Sequence, residues 1–175
     1  CETSCGSEGY RECSELDCAW TQCIAPSEVC NYADDDCDGK VDTGSCLVYL
    51  RRFWNVATLD HMYKVNTSAP DPGYIAEGLF YVYANHVPGS VAVYQVDNGT
   101  DHMLTYYPNE GSQIGYGNAQ LMGYVFDSAA TSVGGKRAQQ FCRYYNPSTG
   151  DHLVNPPKTI NGYNQEACNV WVWVD

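Results

Sequence analysis

The 175-residue sequence predicts an all-β fold of pseudo-threefold, β-trefoil-like form, preceded by a small disulfide-rich segment. A β-prism or a small propeller is the alternative arrangement. Three observations predict this class. Cysteines and acids crowd into the first 46 positions, whereas 13 of the 15 tyrosines follow them. An Asp-His dipeptide followed 10 to 13 residues later by Gly-Tyr recurs three times over residues 47–175. A period of about 40 to 50 residues marks a repeat architecture. The stretches between these dipeptides are short and rich in valine and aromatics, and turn residues punctuate them, as expected of strands.

The first segment, residues 1–46, holds eight of the ten cysteines and eleven acids against two bases. So short a segment cannot build a sufficient apolar core. Four disulfides of undetermined connectivity are expected there, with Cys142 and Cys168 forming a fifth. No Cys-x-x-Cys pair occurs and the first histidine is His61, so zinc-finger spacing is absent. An even cysteine count and an acidic surface point to an oxidising compartment, hence a secreted or cell-surface protein. The chain begins on a cysteine and shows no signal peptide. It reads as a mature fragment or an excised C-terminal piece of a longer secreted protein.

Within this segment residues 34–42 read Asp-x-Asp-x-Asp-Gly-x-x-Asp. Hard oxygen ligands at alternate positions wrap one cation, and glycine permits the sharp turn. Calcium is the expected cofactor. Its candidate ligands are Asp34, Asp36, Asp38, the backbone carbonyl of Lys40, and Asp42. The twelfth position is Ser45 rather than a bidentate glutamate, and there is no room for helices between Cys30 and Cys46. The loop is therefore not a regular EF-hand, and a solvated acidic loop is the rival reading. The run E-x-C-N-x-x-D-D-D-C-D-G-x-x-D, from Glu28 to Asp42, resembles a metal-binding motif repeated in secreted and surface proteins of myxobacteria and their relatives. The upstream CGSEGYREC…CAWTQC is similar to the Cys-rich stretch that commonly precedes it. Tyr32-Ala33 stand where that family usually has glycine and a small or apolar residue. The resemblance implies a surface or secreted multidomain protein and carries no implication of catalysis.

The second segment divides into repeats at about 47–90, 91–135 and 136–175. In repeat one a strand over Val48–Trp54 leads into Asn-x-x-Thr-x-Asp-His at Asn55 to His61. Pro70 and Pro72 oppose a helix before Gly73-Tyr74, and a strand follows over Leu79–Tyr83. Repeat two has Val91–Val96, a turn shortened by two residues at Asn98 to His102, then Gly115-Tyr116 and Met122–Phe126. Repeat three has Asn146 to His152, Gly162-Tyr163 and Val170–Val174. Glu77 corresponds to Glu166, with Gln120 the nearest partner in repeat two.

The pattern Y-R-x-Y-N-x-x-T-x-D-H-F-Y, then G-Y-x-x-E-G-x-x-F-Y, resembles a domain of unknown function near the C-termini of secreted bacterial and fungal proteins. The likeness covers nearly all of residues 47–175. Repeat one carries it through Arg52, Asn55, Asp60, His61, Gly73, Tyr74 and Glu77. Repeat three carries it through Arg143, Asn146, Asp151, His152, Gly162, Tyr163 and Glu166. That family is often attached to hydrolases, which implies targeting or surface binding.

Each repeat gathers groups that could hold a sugar. The candidates are Asp60, His61, Tyr74 and Glu77, then Asp101, His102 and Tyr116, then Asp151, His152, Tyr163 and Glu166. A sugar site needs polar groups in fixed directions and an aromatic face. Three other readings compete. Asn, Thr and Asp can bond nearby backbone amides as turn formers, with histidine buried and Arg52 and Arg143 paired to Glu77 and Glu166. Three imidazoles on the pseudo-axis can bind zinc. An Asp-His pair can serve a catalytic triad, although neighbours on a strand point to opposite faces. The sequence also lacks the Gly-x-Ser-x-Gly and His-Glu-x-x-His motifs.

A pI near 4.5 excludes the basic footprint of nucleic-acid binding. No apolar stretch is long enough to span a membrane. The function expected is a secreted, non-catalytic, lectin-like module that attaches to a cell-surface glycan or polysaccharide, with the Cys-rich segment as a stalk. A protein–protein adhesin and a hydrolase are the alternatives.

Overall fold

A computed structural model describes residues 1–14, 19–67 and 69–175. The fold is all-β, and each repeat supplies three antiparallel strands. Repeat one contains β1 (Leu47–Asn55), β2 (Asp60–Val65) and β3 (Tyr74–Tyr83). Repeat two contains β4 (Val91–Asp97), β5 (His102–Thr105) and β6 (Gly117–Val125). Repeat three contains β7 (Arg137–Tyr145), β8 (His152–Asn155) and β9 (Asn164–Val174). In every repeat the first strand is central and pairs with both the short strand and the third strand.

The repeats join through their third strands, in a cycle. Tyr83 of β3 pairs with Tyr124 of β6, Phe126 pairs with Trp171 of β9, and Trp173 pairs with Tyr81 of β3. Each junction is a single residue pair, and the sheet is otherwise open. Gly123 permits this close approach. A Cβ there would lie 2.5 Å from a Val82 methyl and 2.7 Å from the Tyr83 carbonyl, and its φ is 141°.

The core is layered along the pseudo-axis. An aliphatic and aromatic middle contains Leu50, Tyr63, Val82, Leu104, Val125 and Val172. Beyond it the equivalent residues Tyr83, Phe126 and Trp173 pack edge to face, with ring centroids 5.0–6.3 Å apart. Such pairs add about 0.5–1.5 kcal/mol each beyond their buried area.

The acidic loop seals this aromatic end. Cys30, Tyr32 and Val41 pack against the same cluster, and the Tyr32 ring lies 4.7 Å from that of Phe126. The Asp42 carboxylate is 1% exposed. It accepts bonds from the backbone N–H groups of Asn31 and Tyr32, each at 2.8 Å, and from the Tyr83 hydroxyl. Residues 30–46 are thus part of the domain's packing rather than a stalk held apart from it. The loop alone lacks apolar surface, and Tyr32, Val41 and the Cys30–Cys46 bridge gain burial only against the β core.

Disulfides join Cys1 to Cys23, Cys5 to Cys37, Cys30 to Cys46 and Cys142 to Cys168. The bridge expected between Cys142 and Cys168 is present, as are three in the first segment. Cys13 has no disulfide partner among the described residues, and Cys18 lies outside them. No helix among the described residues is long and apolar enough to cross a membrane.

Asp42→Ala removes one acceptor from three donors, two of them backbone. It should lower unfolding stability by about 3 kcal/mol, read as a reduced urea midpoint, whereas Asp38→Ala on the exposed turn should change it by less than about 0.5 kcal/mol.

Candidate functional site

The Asp-His dipeptides meet at the end of the pseudo-axis opposite the aromatic rings. Each opens a short strand after a turn built on asparagine. The Asn55 side-chain oxygen accepts from Ala57 and Thr58, that of Asn98 from Thr100 and Asp101, and that of Asn146 from Ser148. These are Asx-type turns, as the residue types predict. The glycine of each Gly-Tyr pair has a positive φ, 88° at Gly73, 96° at Gly115 and 83° at Gly162. That left-handed turn brings the following tyrosine back toward its own repeat's aspartate.

Neighbours in sequence do not pair. Each aspartate instead receives the histidine of the next repeat. Asp60 accepts the backbone N–H of His102 at 3.1 Å and its Nδ1 at 2.8 Å. Asp101 accepts those of His152 at 2.8 and 2.6 Å. Asp151 accepts those of His61, both at 2.7 Å. The hydroxyls of Tyr74, Tyr116 and Tyr163 donate to the aspartate of their own repeat. The three carboxylates are 1–3% exposed, and one oxygen of each lies within 4.8 Å of the others. The axis therefore gathers three aspartates rather than three imidazoles.

This environment shifts protonation. Burial opposes ionisation of Asp101, but the bonds from His152 and Tyr116 outweigh it, and its pKa lies below the ordinary 3.8. Burial opposes charging of His102, but the bond and charge of Asp60 outweigh it, and its pKa lies above the ordinary 6.5. Burial, then the aspartate contact, raises Tyr74, Tyr116 and Tyr163 far above the usual phenol range.

Around the rim, repeats one and three build the same group. Trp54 stacks on His61 at 4.4 Å and Tyr145 on His152 at 4.7 Å. Glu77 lies 3.3 Å from His61 Nε2 and accepts Arg52 Nε at 3.1 Å. Glu166 lies 3.8 Å from His152 Nε2 and accepts Arg143 Nε at 2.7 Å. Repeat two has Asp97 and Gln95 at the equivalent positions. A cleft of about 380 Å³ between repeats two and three is lined by Tyr145, His152, Glu166, Asn98, Thr100 and the exposed Ile114.

Of the residues singled out in the sequence, Glu77 and Glu166 are exposed. Tyr74, His102 and Tyr163 are half-buried. Asp60, His61, Asp101, Tyr116, Asp151 and His152 are buried. The residues that sequence reasoning missed are Glu110, Trp54 and Tyr145. Both carboxylate oxygens of Glu110 accept from the Arg143 guanidinium. That contact holds its pKa below 4.5. Trp54 and Tyr145 stand directly before the recurrent asparagine, and that shared position was the available signal.

In the acidic loop, one carboxylate oxygen each from Glu28, Asp34 and Asp36 lie within 4.8 Å of one another. Glu28 Oε2 and Asp34 Oδ1 are buried without a hydrogen-bond partner. Two of the five expected ligands are thus in the cluster, and Glu28 joins them. Asp38 instead accepts the Lys40 N–H at 2.8 Å on the exposed turn. Asp42 faces the β core, where its bonds to Asn31, Tyr32 and Tyr83 occupy both oxygens.

A family model for a domain of unknown function, DUF5648, matches residues 29–126, more than half of the chain. The chain belongs to this family. The match begins inside the acidic loop and ends on Phe126, so it takes in the loop's seal on the aromatic end together with the first two repeats. Comparison with curated proteins and with solved structures finds no match.

Asp60→Ala leaves the His102 N–H and ring and the Tyr74 hydroxyl without their acceptor, and should cost about 3–5 kcal/mol in chemical denaturation. The two shifted groups also shape stability against pH. The contribution of Asp101 is present above 3.8 and lost as pH falls through its lower folded value. That of His102 is present below 6.5 and lost as pH rises through its higher folded value. Urea midpoints should therefore peak between these limits, and His102→Gln should flatten the alkaline limb.

Proposed function

We propose that this chain is a secreted, non-catalytic module that binds carbohydrate at the rim of its repeats. The cleft beside Tyr145 carries this reading. It offers the half-exposed face of an aromatic ring with Glu166, Asn98 and Thr100 around it, the combination that sugar rings select. The Trp54–His61–Glu77–Arg52 group gives repeat one a second, equivalent surface, so a polymer with repeating sugars would gain avidity. The buried aspartates support the non-catalytic reading, because their oxygens are spent on joining the repeats. Secretion is supported by the four disulfides among the described residues and the acidic composition.

Calcium is the cofactor this reading includes, held by Glu28, Asp34 and Asp36. The unpartnered oxygens of Glu28 and Asp34 fit a hard cation, which takes six to eight oxygen ligands. The ion would fix the loop that seals the aromatic end, and the Glu-x-Cys-Asn motif supplies one of its ligands.

A glycan array, probed with and without calcium, tests the sugar reading. Binding should fall at least about tenfold in Tyr145→Ala and less in Trp54→Ala, with the melting temperature retained. Absence of any glycan signal, or signal indifferent to both substitutions, rules the site out. Isothermal titration tests the ion. Calcium should bind with a Kd of roughly 10⁻⁴–10⁻³ M, the range of extracellular modules, and raise the melting temperature. Glu28→Gln with Asp34→Asn should remove both effects.

A further inference from the structure

The three repeats fill the middle of the core unequally. Register aligns Leu50 and Phe80 in repeat one with Val93 and Gly123 in repeat two, and with Phe141 and Val170 in repeat three. On the short strands Tyr63 corresponds to Leu104 and Val154. At the junction of repeats one and three the rings of Phe80 and Phe141 lie 5.1 Å apart, with Tyr63 against Phe80 at 6.3 Å. At the junction of repeats two and three the equivalent positions carry the smaller Val93, Leu104 and Val170. A cavity of about 140 Å³ remains there, walled by Val93, Leu104, Val125, Val170 and Val172, with Leu50, Phe80 and Val82 of repeat one also in its lining.

Voids of this size are few in folded domains, because the lining loses its contacts. Apolar cavities of about 150 Å³ stay dry and accept benzene or xenon. This one reaches the surface beside Tyr107, which is 71% exposed. The Tyr106 hydroxyl donates to the Asn169 carbonyl at 2.6 Å, fixing one side of the mouth. Arg143 and Glu110, both in the lining, form an ion pair at 2.8 Å, so their charges cancel and the entrance favours neither anion nor cation.

We infer that this cavity is a second binding site, for a small molecule with a compact, uncharged apolar group the size of one aromatic ring. It is separate from the sugar-binding cleft and does not depend on it. The apolar part of the lining supplies dispersion contacts, and the side-chain amide of Asn169 at the mouth can bond a hydroxyl carried by the ring.

Benzene and phenol serve as probes in NMR titrations of the full chain. Saturable shifts are expected at Val93, Val125 and Val172, with phenol also shifting Asn169. Val170→Phe and Val93→Leu import repeat one's larger residues, and each should weaken benzene binding at least tenfold. Unchanged binding in a folded filling variant overturns the site. So does the absence of saturation by benzene in the wild-type protein. Hyperpolarised xenon, added to the wild-type chain, gives a readout that needs no variant. A bound-xenon signal displaced by benzene supports the cavity, and its absence overturns it.

Discussion

The outer edges of three short strands must be satisfied inside the protein, and the rest of the architecture depends on how this is done. β2, β5 and β8 each pair on one side only, yet they face the pseudo-axis, where water cannot serve their backbone groups. Side chains of the neighbouring repeat take the place of a further strand. Asp151, Asp60 and Asp101 accept the first outward N–H of each short strand. Further along, Gln95 accepts the Tyr63 N–H at 2.7 Å and the Tyr63 hydroxyl accepts the Val154 N–H at 2.8 Å. Arg52 and Arg143 donate to the Val154 and Leu104 carbonyls at 2.8 and 3.3 Å. Register irregularities lie beside Arg52, Gln95 and Arg143 in their strands, and bulges re-aim side chains in this way.

The cost of this solution is three carboxylates in one buried place. Like charges at such distances repel strongly at low dielectric. Each is offset by an imidazole and a phenol hydroxyl, so the network is fully bonded rather than partly so, the condition under which buried polar groups specify a structure. At the opposite end no such constraint exists, and the three repeats meet through aromatic rings sealed by the acidic loop. One axis thus carries a polar clasp at one end and an apolar one at the other. The two sites proposed for binding lie outside both clasps, at the rim, where Glu77 and Glu166 are exposed, and at the place where unequal side chains leave room.

Much of the clasp was legible in the sequence. Asn-x-x-Thr-x-Asp-His fits turn chemistry, and the Arg52–Glu77 and Arg143–Glu166 pairs follow from an Arg and a Glu that recur at matching positions of repeats one and three. Adjacent Asp and His on a strand were recognised as unable to face each other. Their true partners were not legible, because each lies a whole repeat away and the cyclic order is a property of docking. The acidic loop shows the same division. Asp34 and Asp36 follow from alternation, but Glu28 reaches the cluster across Cys30, and Asp42 leaves it for Tyr83.

The sequence by itself determined the all-β class, the threefold repetition, the turns and the cysteine-rich entry segment, because these are local patterns of spacing and residue type. Only the tertiary structure decided that the repeated aspartates converge on the axis, that the acidic loop is part of the core's seal, and that one junction of three is underfilled. Each of these depends on distances between side chains far apart in the chain, and periodicity carries no information about them.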